Sequence, residues 1–395
     1  MTILVHDYGG YAFITELSRW LAREGAVVHA FNASVQTPKG LLERLPTDPV
    51  GLRFLPLRPA KPAAKGQFIA RFWADRDYAA QLAAEVARLR PTVVLSANAP
   101  STVNAALQRA AQRAGAVFID WIQDLYGEAA LRLLSRKIPV IGQVIGRWFR
   151  HLDHQVARHA DGIMVIDEAF LAHAPAAPGV VPVVLPNWAP LDETPCLPKD
   201  NAWSRAQGLH DRPVFLYSGT LAMKHNPALL TALAAAVPTA EVVVVSAGAG
   251  ADWLRAEVER LALPNLRVLP FQAYTDLPAV LASADVLVAV LEPDAAVFSV
   301  PSKVCTYLCA GRALLLAVPA ANRAARVVVN AGAGLVVEPD DYVGFAAAGA
   351  NLLANQAQRG AMGAAGRRRA EADFSIATIG STVQYVIATA RARRR

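Results

Sequence analysis

The chain has 395 residues, more than one ordinary core needs, and this length suits two domains of about 150 to 200 residues each. Hydrophobic residues make up 54% of the chain and charged residues 18%, a composition that excludes a disordered protein. The formal net charge of +7 is gathered in patches, which favours anionic lipid or phosphate-bearing ligands; no nucleic-acid-binding motif surrounds these patches, so we expect no nucleic-acid partner.

The expected compartment is the cytoplasm. The sequence opens on an apolar strand instead of the basic-then-apolar pattern of a signal peptide, and no apolar run approaches the roughly 18 residues of a membrane span. The cysteines, Cys196, Cys305 and Cys309, are odd in number and lack metal-ligand spacing, so we expect reduced thiols and no metal site.

The first half of the chain alternates short apolar runs with helical patterns. Strands are predicted at residues 3–6, 27–31, 93–95, 117–119 and 163–166, and a helix with Phe13, Ile14 and Leu17 on one face follows the first strand. This alternation predicts a parallel sheet covered by helices on both faces.

A proline-dense segment at residues 186–198 predicts the domain boundary, because proline breaks helices and removes strand donors. We assign residues 1–190 to an N-terminal Rossmann-like domain, 191–375 to a C-terminal Rossmann-like domain, and 376–395 to a C-terminal helix and basic tail. Strands are predicted in the second half at residues 214–218, 242–245, 266–269, 286–290 and 314–318. Two Rossmann-like domains are the result, and we expect ligands at the carboxyl ends of their strands, in a central cleft that the domains face.

The segment at residues 298–312 is the most informative. Ser302 is a good N-cap, and Lys303 falls in the first turn of the predicted helix. The partial positive charge of a helix N-terminus together with an ammonium group suits a diphosphate. A capped helix with a solvated lysine remains an equal alternative on the residues alone.

A second phosphate-binding candidate lies at residues 217–226. A predicted strand ends there at Gly219, where the backbone can approach a ligand closely, and Lys224 and His225 follow. The alternative is a plain strand-to-helix turn with Asn226 as the cap.

In order and spacing, these segments resemble family 4 glycosyltransferases. The resemblance is carried by residues 218–219 with Lys224, by 301–303 and 310–312, and by 332–336, and it spans nearly the whole chain. Residues 121–126 and 186–188 resemble the branch that contains L-fucosaminyltransferases of O-antigen and exopolysaccharide synthesis.

The resemblance implies a GT-B fold and retaining transfer from a nucleoside-diphosphate sugar, with UDP as the expected nucleotide and an acetamido-deoxy sugar as one candidate. The resemblance also implies that the N-terminal domain, 1–190, binds the acceptor and the C-terminal domain, 191–375, binds the donor. The implied acceptor is a lipid-linked saccharide, and neither a cofactor nor a metal is required. Lys224 is also assigned a catalytic role. The residues that the resemblance places at the donor are Gly9, Gly10, Gly219, Thr220, Lys224, Phe271, Gln272, Ser299, Ser302, Lys303 and Thr306.

One departure from the family concerns a pair of glutamates that many members carry near this helix. Their positions are occupied by Phe298 and Thr306, and neither can act as a carboxylate. Glu292 lies upstream as a substitute or as an ordinary loop acid. The departure affects contacts to the donor sugar.

Asp124 is the candidate catalytic acid of the N-terminal half, since it follows the strand predicted at 117–119 and so lies near a carboxyl strand end. A carboxylate there can orient an acceptor hydroxyl or help to remove its proton. The alternative is the N-cap of the next helix.

Two other signals are weak. Asp75 and Asp77 imitate a metal-binding Asp-x-Asp, but residues two apart in a helix do not share a face, so we interpret both as surface charges in a helix over 68–89. Gly248 and Gly250 resemble a dinucleotide loop, yet Trp253 replaces the third glycine, which argues against a nicotinamide site.

The stretch 132–158 mixes basic residues with aliphatic and aromatic ones, which is typical of an element lying on an anionic bilayer. A core helix with a solvated basic face is the alternative. We therefore expect a peripheral protein at the inner face of the cytoplasmic membrane. A sugar-nucleotide epimerase or hydrolase of the same fold, or a non-catalytic carbohydrate-binding module, are the rival functions.

Overall fold

The computed structural model describes residues 1–35, 40–63, 67–222, 225–291 and 300–394. The chain divides into two compact units: Met1–Asn187 together with Ile376–Arg395, and Trp188–Ser375. The division at Asn187 falls inside the proline-dense segment. Residues 376–395, which we assigned to a C-terminal helix and basic tail, belong to the first unit.

The first unit contains a parallel sheet of seven strands among the described residues, in the order β3-β2-β1-β4-β5-β6-β7. The strands are β1 Thr2–Asp7, β2 Ala26–Asn32, β3 Leu52–Leu57, β4 Val93–Ala97, β5 Val117–Ile122, β6 Gly162–Val165 and β7 Val183–Val184. The interior strands β4 and β6 are buried along their whole length, as aliphatic runs in a parallel sheet predict.

The helices of the first unit connect these strands and extend to the end of the chain. They are α1 Ala12–Leu21, α2 Phe68–Leu89, α3 Ser101–Arg113, α4 Tyr126–Lys137, α5 Pro139–Arg158 and, after the second unit, α14 Ile376–Arg393; a 3-10 helix spans Glu168–His173. A Cβ atom on Gly380 would lie 2.3 Å from the ring of Trp20, so α14 packs closely on α1 at this glycine.

The second unit repeats the same topology with six strands among the described residues, ordered β10-β9-β8-β11-β12-β13. The strands are β8 Val214–Ser218, β9 Glu241–Val245, β10 Leu266–Leu269, β11 Val286–Val290, β12 Ala313–Ala317 and β13 Gly334–Val337. The helices are α6 Ala202–Ala206, α7 Ala228–Ala236, α8 Ala249–Leu261, α9 Leu277–Ala282, α10 Lys303–Cys309, α11 Arg323–Ala331, α12 Tyr342–Ala354 and α13 Gln356–Asp373, with a 3-10 helix at Tyr274–Asp276. Both units are therefore Rossmann-like, which confirms the predicted α/β fold class.

The interpretation of Asp75 as a surface charge is wrong. The predicted helix forms as α2, but the Asp75 side chain turns toward the sheet, is only 6% exposed and accepts a hydrogen bond from the Tyr8 hydroxyl at 2.5 Å. Burial raises the pKa of Asp75. Asp77 is half-buried and accepts a hydrogen bond from the Ala60 backbone N–H at 2.6 Å.

Candidate functional site

The end of β8 and the start of α10 come together in the second unit. Gly219 follows β8 with φ of 125°, a conformation that side-chain-bearing residues rarely adopt. A Cβ atom there would lie 3.2 Å from the Lys303 Nζ atom, so the lysine ammonium group lies directly beside the glycine backbone. The structure thus brings together two residues that are 84 positions apart (303 − 219), that came from two separate phosphate-binding candidates, and that the resemblance places at the donor.

Two buried tyrosines position Lys303. Its Nζ atom lies 3.5 Å from the centroid of the Tyr217 ring, a cation–π contact. The Tyr307 hydroxyl accepts a hydrogen bond from the Ser218 N–H at 2.8 Å and donates one to the Ser218 carbonyl at 3.1 Å, which fixes α10 against the end of β8. Burial raises the pKa of both phenols, so they are neutral partners. Sequence analysis missed both tyrosines.

Some of the other residues predicted at the donor lie in the described part of the chain and some lie outside it. Ser302 occupies the N-cap position of α10, but its side chain makes no capping hydrogen bond. Thr306 is half-buried on α10. Thr220 follows β8, and its carbonyl accepts a hydrogen bond from the Tyr217 hydroxyl at 2.8 Å. Lys224, Glu292, Phe298 and Ser299 lie outside the described residues.

The turn before α7 differs from the alternative that placed a cap at Asn226. The N-cap of α7 is Pro227, and Asn226 has a left-handed φ of 46°. The Asn226 side chain donates to the Pro339 carbonyl at 3.2 Å and accepts from the Tyr342 hydroxyl at 2.8 Å. Asn226 thus holds the loop that follows β8 to the loop before α12.

Phe271 and Gln272 follow β10, at the same edge of the sheet as Gly219, and both are half-buried. The Gln272 amide is engaged inside the unit, since its Oε1 atom accepts from the Trp203 indole N–H at 3.0 Å and its Nε2 atom donates to the Pro270 carbonyl at 2.9 Å. These bonds orient the loop that follows β10.

In the first unit, the loop after β1 contains Gly9 and Gly10. The Asp7 carboxylate accepts hydrogen bonds from the backbone N–H groups of Gly9, at 3.0 Å, and of Tyr11. A Cβ atom on Gly9 would lie 2.2 Å from the Tyr11 ring, and Gly10 has φ of 73°. Gly10 therefore provides a left-handed backbone conformation, and the absence of a side chain at Gly9 leaves room for the Tyr11 ring.

Asp124 lies just after β5 and beside this loop. Its charge is among the groups that raise the pKa of the Tyr11 and Tyr126 phenols, after burial as the main cause. The Tyr126 hydroxyl donates to the Asn98 Oδ1 atom at 2.8 Å, and Asn98 follows β4. The N-cap of α4 is Leu125, so Asp124 does not occupy the helix-cap position of the alternative interpretation.

A small depression opens beside Asp124 and is lined entirely by residues of the first unit. Asp120 lies in it, is 3% exposed and accepts a hydrogen bond from the Asn104 side-chain amide at 2.9 Å. Burial raises the pKa of Asp120 to about 7 and that of Asp153, which accepts from the Gly127 N–H at 2.7 Å, to about 6. Sequence analysis missed this polar depression.

The helical hairpin formed by α4 and α5 carries the basic and apolar residues of the stretch 132–158. A Cβ atom on Gly142 would lie 2.1 Å from the Leu134 carbonyl, and one on Gly146 would lie 2.3 Å from the Leu131 Cα atom, so the two helices pack through a glycine face. Large apolar side chains elsewhere on the hairpin are exposed: Leu133, Ile138, Val140, Ile141, Val144, Ile145 and Trp148. Arg132, Arg136 and Arg147 lie among them on the same hairpin.

Two further findings concern metal binding and membrane spans. Among the described residues, no three His, Cys, Asp or Glu side chains gather as a metal site would require. Within the same part of the chain, each helix is too short or too polar to cross a membrane.

Comparison with known proteins gives the enzyme class and the fold. Residues 212–355 match the family model described as glycosyl transferases group 1. No curated protein matches the sequence. Sucrose-phosphate synthase from Thermosynechococcus elongatus superposes with a TM-score of 0.77 at 16% identity, covering 100% of both chains.

Two other similar structures have comparable coverage. HepE from Anabaena, solved with UDP-glucose, has a TM-score of 0.73 at 14% identity and covers 98% of this chain and 100% of its own. WaaG, a glycosyltransferase involved in lipopolysaccharide biosynthesis, has a TM-score of 0.68 at 13% identity and covers 98% of this chain and 99% of its own. The chain is thus a glycosyltransferase with the GT-B fold, and its second unit carries the group 1 domain.

Proposed function

We propose that this glycosyltransferase moves a sugar from a UDP-linked donor to a lipid-linked saccharide in surface polysaccharide synthesis, with retention of configuration. The observation that carries the proposal is the Lys303 ammonium group beside the Gly219 backbone at the carboxyl end of β8. The similar structure of HepE holds UDP-glucose, and the similar WaaG is involved in lipopolysaccharide biosynthesis, which supports the donor and the pathway class. Retention, family 4 and the fucosaminyltransferase branch rest on the sequence motifs.

The chemical role of this cluster is to stabilise the departing diphosphate. Negative charge develops on the leaving group in the transition state, and a fixed ammonium group in a site shielded from water lowers the energy of that state. Lys303 supplies one such charge, and we propose Lys224 as the second. Since these cations can meet the leaving-group charge, we propose turnover without a metal or other cofactor.

The acceptor side of the proposal uses the first unit. Asp124 adjoins the Gly9–Gly10 loop and an open depression, where an acceptor hydroxyl can approach a carboxylate. We propose that Asp124 orients this hydroxyl and helps to remove its proton.

The function is tested by incubating the protein with a panel of nucleotide sugars, with and without a polyprenyl-linked saccharide, in excess chelator. We expect nucleoside diphosphate to be released from a UDP-sugar only when the acceptor is present. Release without acceptor would indicate a hydrolase, a changed sugar with no release would indicate an epimerase, and binding without either would indicate a carbohydrate-binding module. Activity that is present without chelator and is lost when chelator is added would contradict the metal-free mechanism.

We further propose that the α4–α5 hairpin contacts an anionic membrane surface at the inner face of the cytoplasmic membrane. Val140 is 77% exposed, and Ile141 and Val144 are each 61% exposed, with Arg136 and Arg147 nearby. Exposed apolar groups beside cations are the pattern of an interfacial element, because the apolar groups enter the headgroup boundary while the cations attract anionic lipid.

The variant Val140→Asn/Val144→Asn is expected to reduce binding to anionic liposomes roughly tenfold, since two aliphatic side chains lose their burial in the headgroup boundary. Co-sedimentation measures the bound fraction, which should also fall as salt rises. The matched control is Val329→Asn/Val343→Asn in the second unit, whose valines are 59% and 81% exposed. Equal binding by both variants would contradict the assignment of the surface.

A further inference from the structure

The depression beside Asp124 contains two buried polar atoms that the described protein does not satisfy. Gln123 is 4% exposed and lines the depression, and its Nε2 atom has no hydrogen-bond partner among the described residues. Within the same described part of the chain, the Asn104 Oδ1 atom is also unsatisfied, while the amide nitrogen of Asn104 donates to Asp120. The residues that line the depression therefore include one donor and one acceptor that lack a partner in the described part of the chain.

A second buried glutamine in the same unit shows the ordinary arrangement. Gln108 on α3 is 6% exposed, and its Nε2 atom donates to the Val156 carbonyl at 2.7 Å. Burying an amide without a partner costs free energy, so such a group is retained where a ligand or water completes it. The contrast marks Gln123 as a ligand-facing residue.

The surroundings restrict the chemistry of that ligand. Asp120, Asp153, Asp124 and Glu128 line the same depression, together with Arg150, His154 and His173. Arg150 and His173 each lie 3.5 Å from the Glu128 carboxylate, and burial lowers the pKa of His154, so the remaining carboxyl groups disfavour an anionic group. Trp121 and Leu125 add apolar surface to the lining. The matching group is uncharged, accepts one hydrogen bond, donates another and carries an apolar end.

We propose that this depression recognises the acetamido group of the acceptor's sugar, an inference that rests on the proposed acceptor role of the first unit. The acetamido carbonyl accepts from the Gln123 amide, its N–H donates to the Asn104 Oδ1 atom, and its methyl group packs on the apolar lining. A hydroxyl group satisfies the polar atoms but leaves the apolar lining without a contact. A carboxylate, as in a uronic acid, is repelled by the acidic side chains and therefore binds less well.

The inference is tested by titrating the full chain with the methyl glycosides of N-acetylglucosamine, glucose and glucuronic acid, followed by saturation-transfer NMR. We expect the acetamido glycoside to bind at least about tenfold more tightly than the other two, the scale of a well-made hydrogen bond. The variant Gln123→Met should remove this preference while its melting temperature stays equal or rises, because it deletes a polar group without a partner in the described part of the protein.

The control variant Gln108→Met is expected to do the opposite: it breaks the bond to Val156, lowers the melting temperature and leaves the acetamido preference intact. Equal affinity for all three glycosides, no detectable glycoside binding, or an unchanged preference in Gln123→Met would each overturn the inference. Calorimetric titration with UDP separates this result from the proposed function. Wild-type protein that binds UDP but shows no acetamido preference contradicts only the inference, whereas protein that binds no UDP contradicts the proposed donor itself.

Discussion

Replacing Lys303 by methionine is expected to weaken UDP binding by about 1.5 to 3 kcal/mol, or roughly tenfold to a hundredfold in affinity. The physical reason is the loss of a charge-assisted hydrogen bond to the diphosphate, because methionine keeps the length and apolar stem of lysine but not its ammonium group. Lys303 lies beside Gly219 and over the Tyr217 ring, so its ammonium group is held at the carboxyl end of β8. Isothermal titration with UDP measures the effect.

Stability separates this role from a structural one. Removing the ammonium group relieves its desolvation but also loses the cation–π contact with Tyr217, and because these effects oppose each other the melting temperature of Lys303→Met should change little. The control is Lys199→Met in the same unit, because the Lys199 ammonium group binds the Arg212 carbonyl and the Asp285 carboxylate. That variant should lose stability and keep its UDP affinity. An unchanged UDP affinity in folded Lys303→Met would remove Lys303 from the donor site.

Most of the sheet could be predicted because its strands are short aliphatic runs, which a parallel sheet buries on both faces. The strand β3 was missed for a physical reason. Its ends are buried but its middle is partly exposed, and it contains Pro56, which is tolerated because β3 lies at the edge of the sheet. The strand β7 has only two residues, which is too short for a periodic signal.

The candidate donor residues Gly219 and Lys303 could be proposed from the sequence because their signals are local. Gly219 needs a positive φ at a strand end, and Lys303 follows a capping residue, so each has a nearby sequence signature. The tyrosines that hold them, Tyr217 and Tyr307, were not predictable in the same way. Their contacts join positions 86 residues apart (303 − 217) and 89 residues apart (307 − 218), and they depend on the pairing of β8 with β11, which no local pattern encodes.

The polar depression was missed because its acids interrupt an apolar pattern. Asp120 falls inside β5 between Ile119 and Trp121, and the strand prediction stopped at residue 119 where the charge begins. Burial of a carboxyl group inside a strand is costly unless it is hydrogen-bonded or protonated, and Asp120 receives both the Asn104 bond and a pKa raised to about 7. A charged residue within an apolar strand was the available signal.

Replacing Asp124 by asparagine is expected to reduce the rate of sugar transfer by about 10²-fold or more, the usual scale for losing a general base. Asparagine keeps the size of the side chain and one acceptor oxygen but removes the charge that the proposed proton transfer needs. Because donor binding is assigned to the second unit, UDP affinity should stay nearly unchanged. Steady-state transfer and calorimetry on the same preparation measure the two effects.

The control for this substitution is Asp161→Asn in the same unit. Asp161 directly precedes β6 and so lies at the amino end of that strand, whereas Asp124 follows the carboxyl end of β5. The Asp161 carboxylate accepts a hydrogen bond from the Phe118 N–H at 2.8 Å and pairs with Arg394 at 3.3 Å. Asp161→Asn should lower the melting temperature and leave the rate of sugar transfer per folded molecule unchanged. If Asp124→Asn transfers at a near-normal rate, Asp124 only shapes the loop beside Tyr11 and Tyr126, and the acceptor hydroxyl must be activated by another group. If Asp124→Asn instead loses UDP affinity along with its rate, the residue acts on the donor, and the division of roles between the two units is wrong.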